Sequence, residues 1–338
     1  IIVTMPQDLV GMIVSKAVRM AEMMNVPVLG VVENMSYYTC PDCGKQHEIF
    51  GASKVQDVAA AFDIPHTARI PVDPAITAMV DAGEDTDNPR GLPGLNLPGF
   101  EDRVLAYLKA HAADADGKVH LDFIVGTHAH SDHLGGFDTI LADPDVSVGR
   151  AYLKVYDSSV INEEEVREWD NQEVYDQTVA ALEAKNVPII SEPDNTPFML
   201  GNCRITLLNT EDPVPTGKVG ENDQSLGVLM ETNGTRVFLA GDMDDLTGDE
   251  TRLAPQIGKV DLLKVGHHGC EDSSTPAFLQ TLMPKICVFT TGEYNHNVLS
   301  RERIQDICHA KMYFTARDGG VLALLGENGD VRCYGQIH

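Results

Sequence analysis

Basic residues and aromatics are scarce in this chain. Its 338 residues hold 25 Lys+Arg against 51 Asp+Glu, a net charge of −26, and aromatics make up 6% with a single Trp. So acidic a surface repels polyanions at long range, which counts against a DNA- or RNA-binding face. Its bland role is to keep the protein in solution. Long apolar runs are lacking too, and nothing approaches the roughly 20 residues a membrane span needs. Cysteine is sparse and scattered, at Cys40, Cys43, Cys203, Cys270, Cys287, Cys308 and Cys333. An odd, dispersed set fits a reducing compartment rather than a disulfide framework, so a cytoplasmic location is expected. Neither an initiator Met nor a signal peptide precedes Ile1; a start lost upstream would leave secretion open.

What is present is ordinary globular material, 43% hydrophobic and 22% charged, long enough for one large domain or two. Leu9–Met24 carries apolar residues at helical spacing, and 28–32 reads as a buried strand. A second helix over 53–62 and a strand over 68–72 complete a βαβ rhythm, which implies a parallel sheet. The Pro-, Gly- and Asn-rich stretch 85–100 reads as a loop. A helix over Glu101–His111 follows, then a strand over 121–125, one long polar helix over 163–185, and strands over Cys203–Leu208, 226–231 and 236–240. A strand–turn–strand unit over 321–334 closes the chain.

The chemistry concentrates after the strand ending at Val125. His128, His130, Asp132 and His133 fall within six residues and run into Gly135-Gly136. Spacing of two lets His128 and His130 share one cation, while Asp132 and His133 face a second. Neutral imidazoles and carboxylate suit zinc, and also manganese or iron. A second apolar strand releases Asp242 after Gly241, placed to bridge two ions, and a third ends in His267-His268-Gly269. One histidine of that pair completes the second ion's shell; the spacing does not say which. Two cations a few ångströms apart lower the pKa of a shared water towards about 7, making hydroxide available for attack. In this scheme Asp132 holds and orients the nucleophile, and Lys264, His296 or the spare histidine stabilises developing negative charge.

His-x-His-x-Asp-His, then Gly-Asp, then His-His-Gly resembles the motif series of the metallo-β-lactamase-fold hydrolases. Asn222-Asp-Gln-Ser225-Leu, Lys264 and Tyr294-Asn-His296 are similar to the branch of ComEC-type nuclease domains and phosphorylcholine esterases. The resemblance covers about 80–338 and implies an αββα sandwich that hydrolyses phosphoester or phosphodiester bonds. It also has departures. No His lies between His133 and His267, Cys270 stands where the family has Ser, and Asn295 and Asn297 flank His296 in place of Gly and Pro. Val80-Asp81-Ala-Gly83 is similar to the family's strand-end Asp-x-Gly, which normally follows a hairpin.

The first segment, 1–79, reads as a separate unit. Cys40-Pro-Asp-Cys43 supplies half a tetrahedral metal site. With Thr4-Met-Pro-Gln7, Asn34-Met and Ile70-Pro-Val-Asp73-Pro74 it resembles the C-terminal half of the Mrp/ApbC iron–sulfur carrier P-loop ATPases. The match implies an iron–sulfur cluster shared by Cys40 and Cys43 with their copies in a homodimer, and Asn34 at an adenine. No G-x-x-x-x-G-K-[ST] occurs anywhere in the chain, so phosphates would lack their backbone cradle and ATP hydrolysis is not expected.

The expected fold is therefore α/β: a metallo-β-lactamase αββα sandwich over 80–338, preceded by a partial P-loop-type parallel α/β segment over 1–79. The expected function is metal-dependent hydrolysis of a small phosphoester substrate with two divalent metals, zinc first. Three readings compete with it: a lactonase- or amidase-type hydrolase, an iron–sulfur carrier acting through Cys40 and Cys43, and an inactive fusion of two partial proteins with exposed sheet edges.

Overall fold

The computed structural model describes residues 2–4, 10–24, 26–39, 46–47, 53–72, 77–85, 99–114, 116–211, 219–292, 297–326 and 328–337. The chain divides into two compact units, Ile1–Ala75 and Ile76–His338.

In the first unit, strand Gly30–Thr39 pairs in parallel with both Ile2–Thr4 and His66–Val72, and antiparallel with Gln46–His47. Helices Val10–Met23 and Val55–Ala61 make the crossovers that parallel pairing requires. Their valines at helical spacing, Val14 and Val18 on one and Val55 and Val58 on the other, are buried with Val31 and Ile64.

The second unit is an αββα sandwich, as expected. One sheet has four parallel strands in the order Ile189–Ile190, Ala151–Leu153, Phe123–Gly126, Ala78–Val80. The other has seven, beginning with the antiparallel run Phe198–Leu200, Cys203–Leu208, Gly227–Thr232 and Thr235–Leu239. It continues in parallel through Leu262–Lys264, Ile286–Phe289 and Lys311–Phe314.

Side chains alternate across each strand, so one sequence feeds two cores. Phe123 and Val125 pack inward against Ile205, Leu207 and Val228 of the opposite sheet, whereas Ile124 faces outward onto Leu134, Phe137 and Leu141. Phe238 and Leu263 likewise face outward to the helices Asp249–Ile257 and Pro276–Leu282. Val237 and Leu262 point the other way, where the C-terminal hairpin Gly320–Leu325 and Val331–Ile337 covers them with Val321, Ala323 and Val331. Phe238 is fully buried, and truncating it to Ala would cost about 3–5 kcal/mol.

Two expectations need correction. The helix expected over 163–185 is two helices, Glu163–Glu168 and Asn171–Ala184. Trp169 takes extended angles (φ −114, ψ 156) and its ring sits 4.5 Å from that of His130. Periodicity alone could not show that break. The strand expected over 121–125 is also two, since Val119–Leu121 pairs with Val146–Val148 in a separate sheet while Phe123–Gly126 joins the main one. Asp122 is the hinge, its carboxylate accepting from the Thr77 N–H at 3.1 Å. Ala78–Val80 forms the edge of its sheet, pairing with Phe123–Gly126 alone among the described residues. Among the described residues no helix is long and apolar enough to cross a membrane.

Candidate metal centre

The site lies where strands from both sheets end together. Phe123–Gly126 releases Thr127, His128 and His130, and the helix Ser131–Leu134 carries Asp132 and His133. Thr235–Leu239 releases Gly241 and Asp242. Gly241 has φ +57, and a Cβ there would sit 3.0 Å from Thr127 Cβ and 3.2 Å from Ser225 Cβ, so this turn is available to glycine. The Asn222–Leu226 segment ties the two strand ends together. Leu226 N–H donates to Thr127 O at 2.9 Å, and Asp242 N–H donates to Ser225 Oγ at 3.1 Å.

Hydrogen bonds fix which ring nitrogens carry protons. His133 Nδ1 lies 2.9 Å from Asp81 Oδ2; a carboxylate only accepts, so Nδ1–H donates and Nε2 is the nitrogen presented to the site. That Nε2 is buried with no hydrogen-bond partner, 3.2 Å from Asp242 Oδ2 at an angle that makes no bond. Asp81 also accepts from the Thr127 N–H at 2.8 Å and from its hydroxyl at 2.9 Å. The Thr127 oxygen is thereby left to accept from His128 Nδ1–H at 3.0 Å, which turns the His128 Nε2 lone pair inward. Glu165 Oε1 takes the His130 Nε2–H at 3.0 Å, turning His130 Nδ1 inward as well. His128 Nε2 and His130 Nδ1 then lie 3.0 Å apart, both as acceptors. Thr290 O lies 3.3 Å and its Oγ1 3.0 Å from His268 Nδ1, and His268 Nε2–H donates to Asp132 Oδ2 at 3.0 Å with Asp242 Oδ2 at 3.2 Å.

Carboxylates and ring nitrogens brought this close need positive charge among them, from protons on His133 and His268 or from a metal ion in their place. Asp132, His133, Asp242 and His268 offer four such atoms within 4.8 Å of one another, and the orphaned His133 Nε2 fits a metal ligand. Burial pulls the His133 ring's basicity down, yet Asp242, Asp132 and Asp81 outweigh it and hold its pKa well above the ordinary imidazole range. Burial opposes ionisation of Asp242 as well, but His133, His268 and Lys264 hold its carboxyl well below the usual carboxylate range. His128 is lowered by burial and by its histidine neighbours, so it stays neutral. An N/O donor set of this kind suits zinc, manganese or iron.

The sequence-predicted residues separate as follows. His128, His130, Asp132, His133, Asp242 and His268 come together. His267 turns away: Asn222 Nδ2 lies 3.1 Å from its Nε2, while its Nδ1 faces Asp272 and Asp244 at 3.3 and 3.6 Å. Burial lowers the His267 pKa, but contacts with Asp244, Asp272 and Cys270 carry it up to about 12. Lys264 Nζ donates to Gly241 O at 2.6 Å and Asp242 Oδ1 at 3.3 Å, so its charge is directed at the Asp242 carboxylate. Cys40, Cys43 and His296 lie outside the described residues, and Asn34 is described only in its backbone, on Gly30–Thr39. Sequence reasoning gave no role to Asp81 or Glu165. A strand-end Asp signals the first. Nothing in the sequence signals Glu165, whose other partners are Asn162, Asn171 and the Glu221 N–H.

A family model described as a beta-lactamase superfamily domain matches residues 79–276, and the chain belongs to this superfamily as a metallo-β-lactamase-fold hydrolase. A second model, described as NUBPL iron-transfer P-loop NTPase, matches residues 1–90. The iron–sulfur cluster carrier protein of Aquifex aeolicus is 43% identical over 84 residues, 25% of this chain and 23% of that protein. ComE operon protein 3 of Bacillus subtilis is 31% identical over 182 residues, 54% of this chain and 21% of that protein. Among solved structures, the metallo-beta-lactamase fold protein YhfI of Bacillus subtilis is 12% identical with a TM-score of 0.39, covering 68% of this chain and 83% of that one. The chain spans about a quarter of the length of these two curated relatives.

Proposed function

We propose that the second unit hydrolyses phosphoester or phosphodiester bonds in small substrates, at a centre of two divalent cations, zinc being the first candidate. The observation that carries a cation-dependent reaction is the convergence of His128 Nε2, His130 Nδ1, His133 Nε2 and His268 Nε2 on one another and on the Asp132 and Asp242 carboxylates. Bound divalent cations supply Lewis acidity and lower the pKa of water from about 15.7 to about 7. The chain's own residues do the rest. Asp81 and Glu165 lock the tautomers of His133 and His130, Asp132 orients the attacking water, and Lys264 offsets the charge on Asp242. Support for a phosphorus centre over an acyl one comes from the motif series Asn222–Ser225, Lys264 and His267-His268, which is similar to the phosphorylcholine-esterase branch. The net charge of −26 favours a small substrate over nucleic acid.

The test compares bis(p-nitrophenyl) phosphate, p-nitrophenyl acetate and a γ-lactone as substrates of chelator-treated protein reloaded with zinc or manganese. Metal-restored phosphodiester turnover that Asp242→Ala abolishes is the expected result. Turnover of the lactone or acetate alone would transfer the reaction to acyl chemistry.

A second reading concerns the first unit, because a distinct family model matches residues 1–90. Here Cys40 and Cys43 would hold an iron–sulfur cluster with a second copy of the chain. Brown protein carrying iron and acid-labile sulfide, lost on Cys40→Ser/Cys43→Ser, is the expected outcome, and colourless iron-free protein would remove it.

A further inference from the structure

The turn carrying His268 holds a second set of donors facing away from the hydrolase cluster. His267, Cys270 and Asp272 each offer one ligand atom, and these lie within 4.8 Å of one another. His267 Nδ1 is 3.3 Å from Asp272 Oδ1, which is buried yet makes no aligned hydrogen bond. Asp244 approaches from the loop after Asp242. It is 2% exposed, gives Oδ1 to the Leu246 N–H at 2.9 Å, and turns Oδ2 towards His267 Nδ1 at 3.6 Å, too far for a hydrogen bond.

The other side of the ring fixes the tautomer. Asn222 Nδ2 lies 3.1 Å from His267 Nε2, while Asn222 Oδ1 is buried without a partner. Exchanging the amide N and O satisfies both groups: Oδ1 accepts from Nε2–H, and Nδ1, facing the sulfur and the two carboxylates, carries the proton that an entering cation would displace.

We infer that His267, Cys270 and Asp272, with Asp244 as a fourth donor, form an accessory site for a borderline divalent cation such as zinc or cobalt. A nitrogen, a sulfur and carboxylate oxygens favour such an ion over magnesium or calcium, which take oxygen. Donors about 2.0–2.3 Å from zinc sit about 3–4 Å apart, so small side-chain rotations close the set. An ion there pins His267 and His268, whose φ values of 44 and 50 are both left-handed, and so holds the turn that presents His268. The site does not depend on the phosphoesterase reading.

Cobalt distinguishes the two centres, because the His268 cluster contains no sulfur. Full-length protein with Cys40→Ser and Cys43→Ser, stripped by chelator, is titrated with cobalt(II). A near-ultraviolet thiolate-to-cobalt band is expected. Cys270→Ser should abolish it while visible d–d bands from the imidazole–carboxylate cluster remain, which also shows that the variant folds. Asp272→Asn should weaken the cobalt dependence of the band by about 10-fold or more. Absence of a thiolate band, or a band indifferent to both substitutions, would overturn the site and leave His267 as an imidazolium paired with two carboxylates. Loss of the d–d bands alone would instead count against the hydrolase centre.

Discussion

At the scale of single residues, the site is governed by groups that orient its histidines from behind. Asp81 contributes three acceptor contacts, to His133 Nδ1 and to both donors of Thr127, and through Thr127 it also sets His128. Asp81→Asn puts an amide beside His133 and can reverse its tautomer. Metal affinity should fall about 10–100-fold, read by competition with a chromophoric chelator; unchanged affinity would mean the tautomer is set elsewhere. Glu165→Gln should act in the same direction through His130. The residues that converge were legible in the sequence because ligand chemistry needs particular residue types at close spacing. Which of His267 and His268 enters the cluster was not, since that depends on two successive left-handed residues. Glu165 was hidden for a different reason: it reaches His130 from a separate helix, across 35 positions of chain.

At the scale of elements, strand ends were readable and breaks were not. Glu101–His111 and Cys203–Leu208 stand where periodicity placed them. The split at Trp169 and the change of sheet at Asp122 escaped notice because tertiary contacts, rather than local pattern, decide them. Close approach between elements yields a sharp prediction at Gly266. A Cβ there would lie 2.3 Å from the Met243 carbonyl, a backbone atom that cannot rotate away. Gly266→Ala should therefore push the His267–His268 turn off the strand end after Asp242. Reduced metal content and a lower Tm are expected, measured on one purified sample; a variant with wild-type content would show that the turn tolerates the shift.

At the scale of the whole molecule, acidity and buried carboxyls act together. Burial raises Glu221 from an ordinary 4.5 to about 8, Glu84 and Glu250 to about 7, and Asp223 from 3.8 to about 6. A carboxyl whose pKa is higher in the folded state stabilises the fold fully below its unfolded pKa, and that contribution is lost as pH rises through the folded value. Tm should consequently fall between about pH 4 and pH 8, most steeply below about pH 6 where all four groups contribute, and added salt should recover part of the loss by screening the net charge of −26. Glu221→Gln keeps the oxygen that accepts from the Ala129 N–H at 2.9 Å and removes the titration. Its Tm advantage over the parent should grow across that window, and a constant difference would show that Glu221 does not titrate there.

Converging imidazoles and carboxylates give this site the donors of a metal centre, with Asp242 at its middle. The direct measurement is elemental analysis of transition metal per chain in Asp242→Ala and parent protein, both purified without chelator. The variant is expected to lose up to two equivalents while keeping any metal held at Cys40, Cys43 or Cys270. Equal content in the two proteins would contradict it.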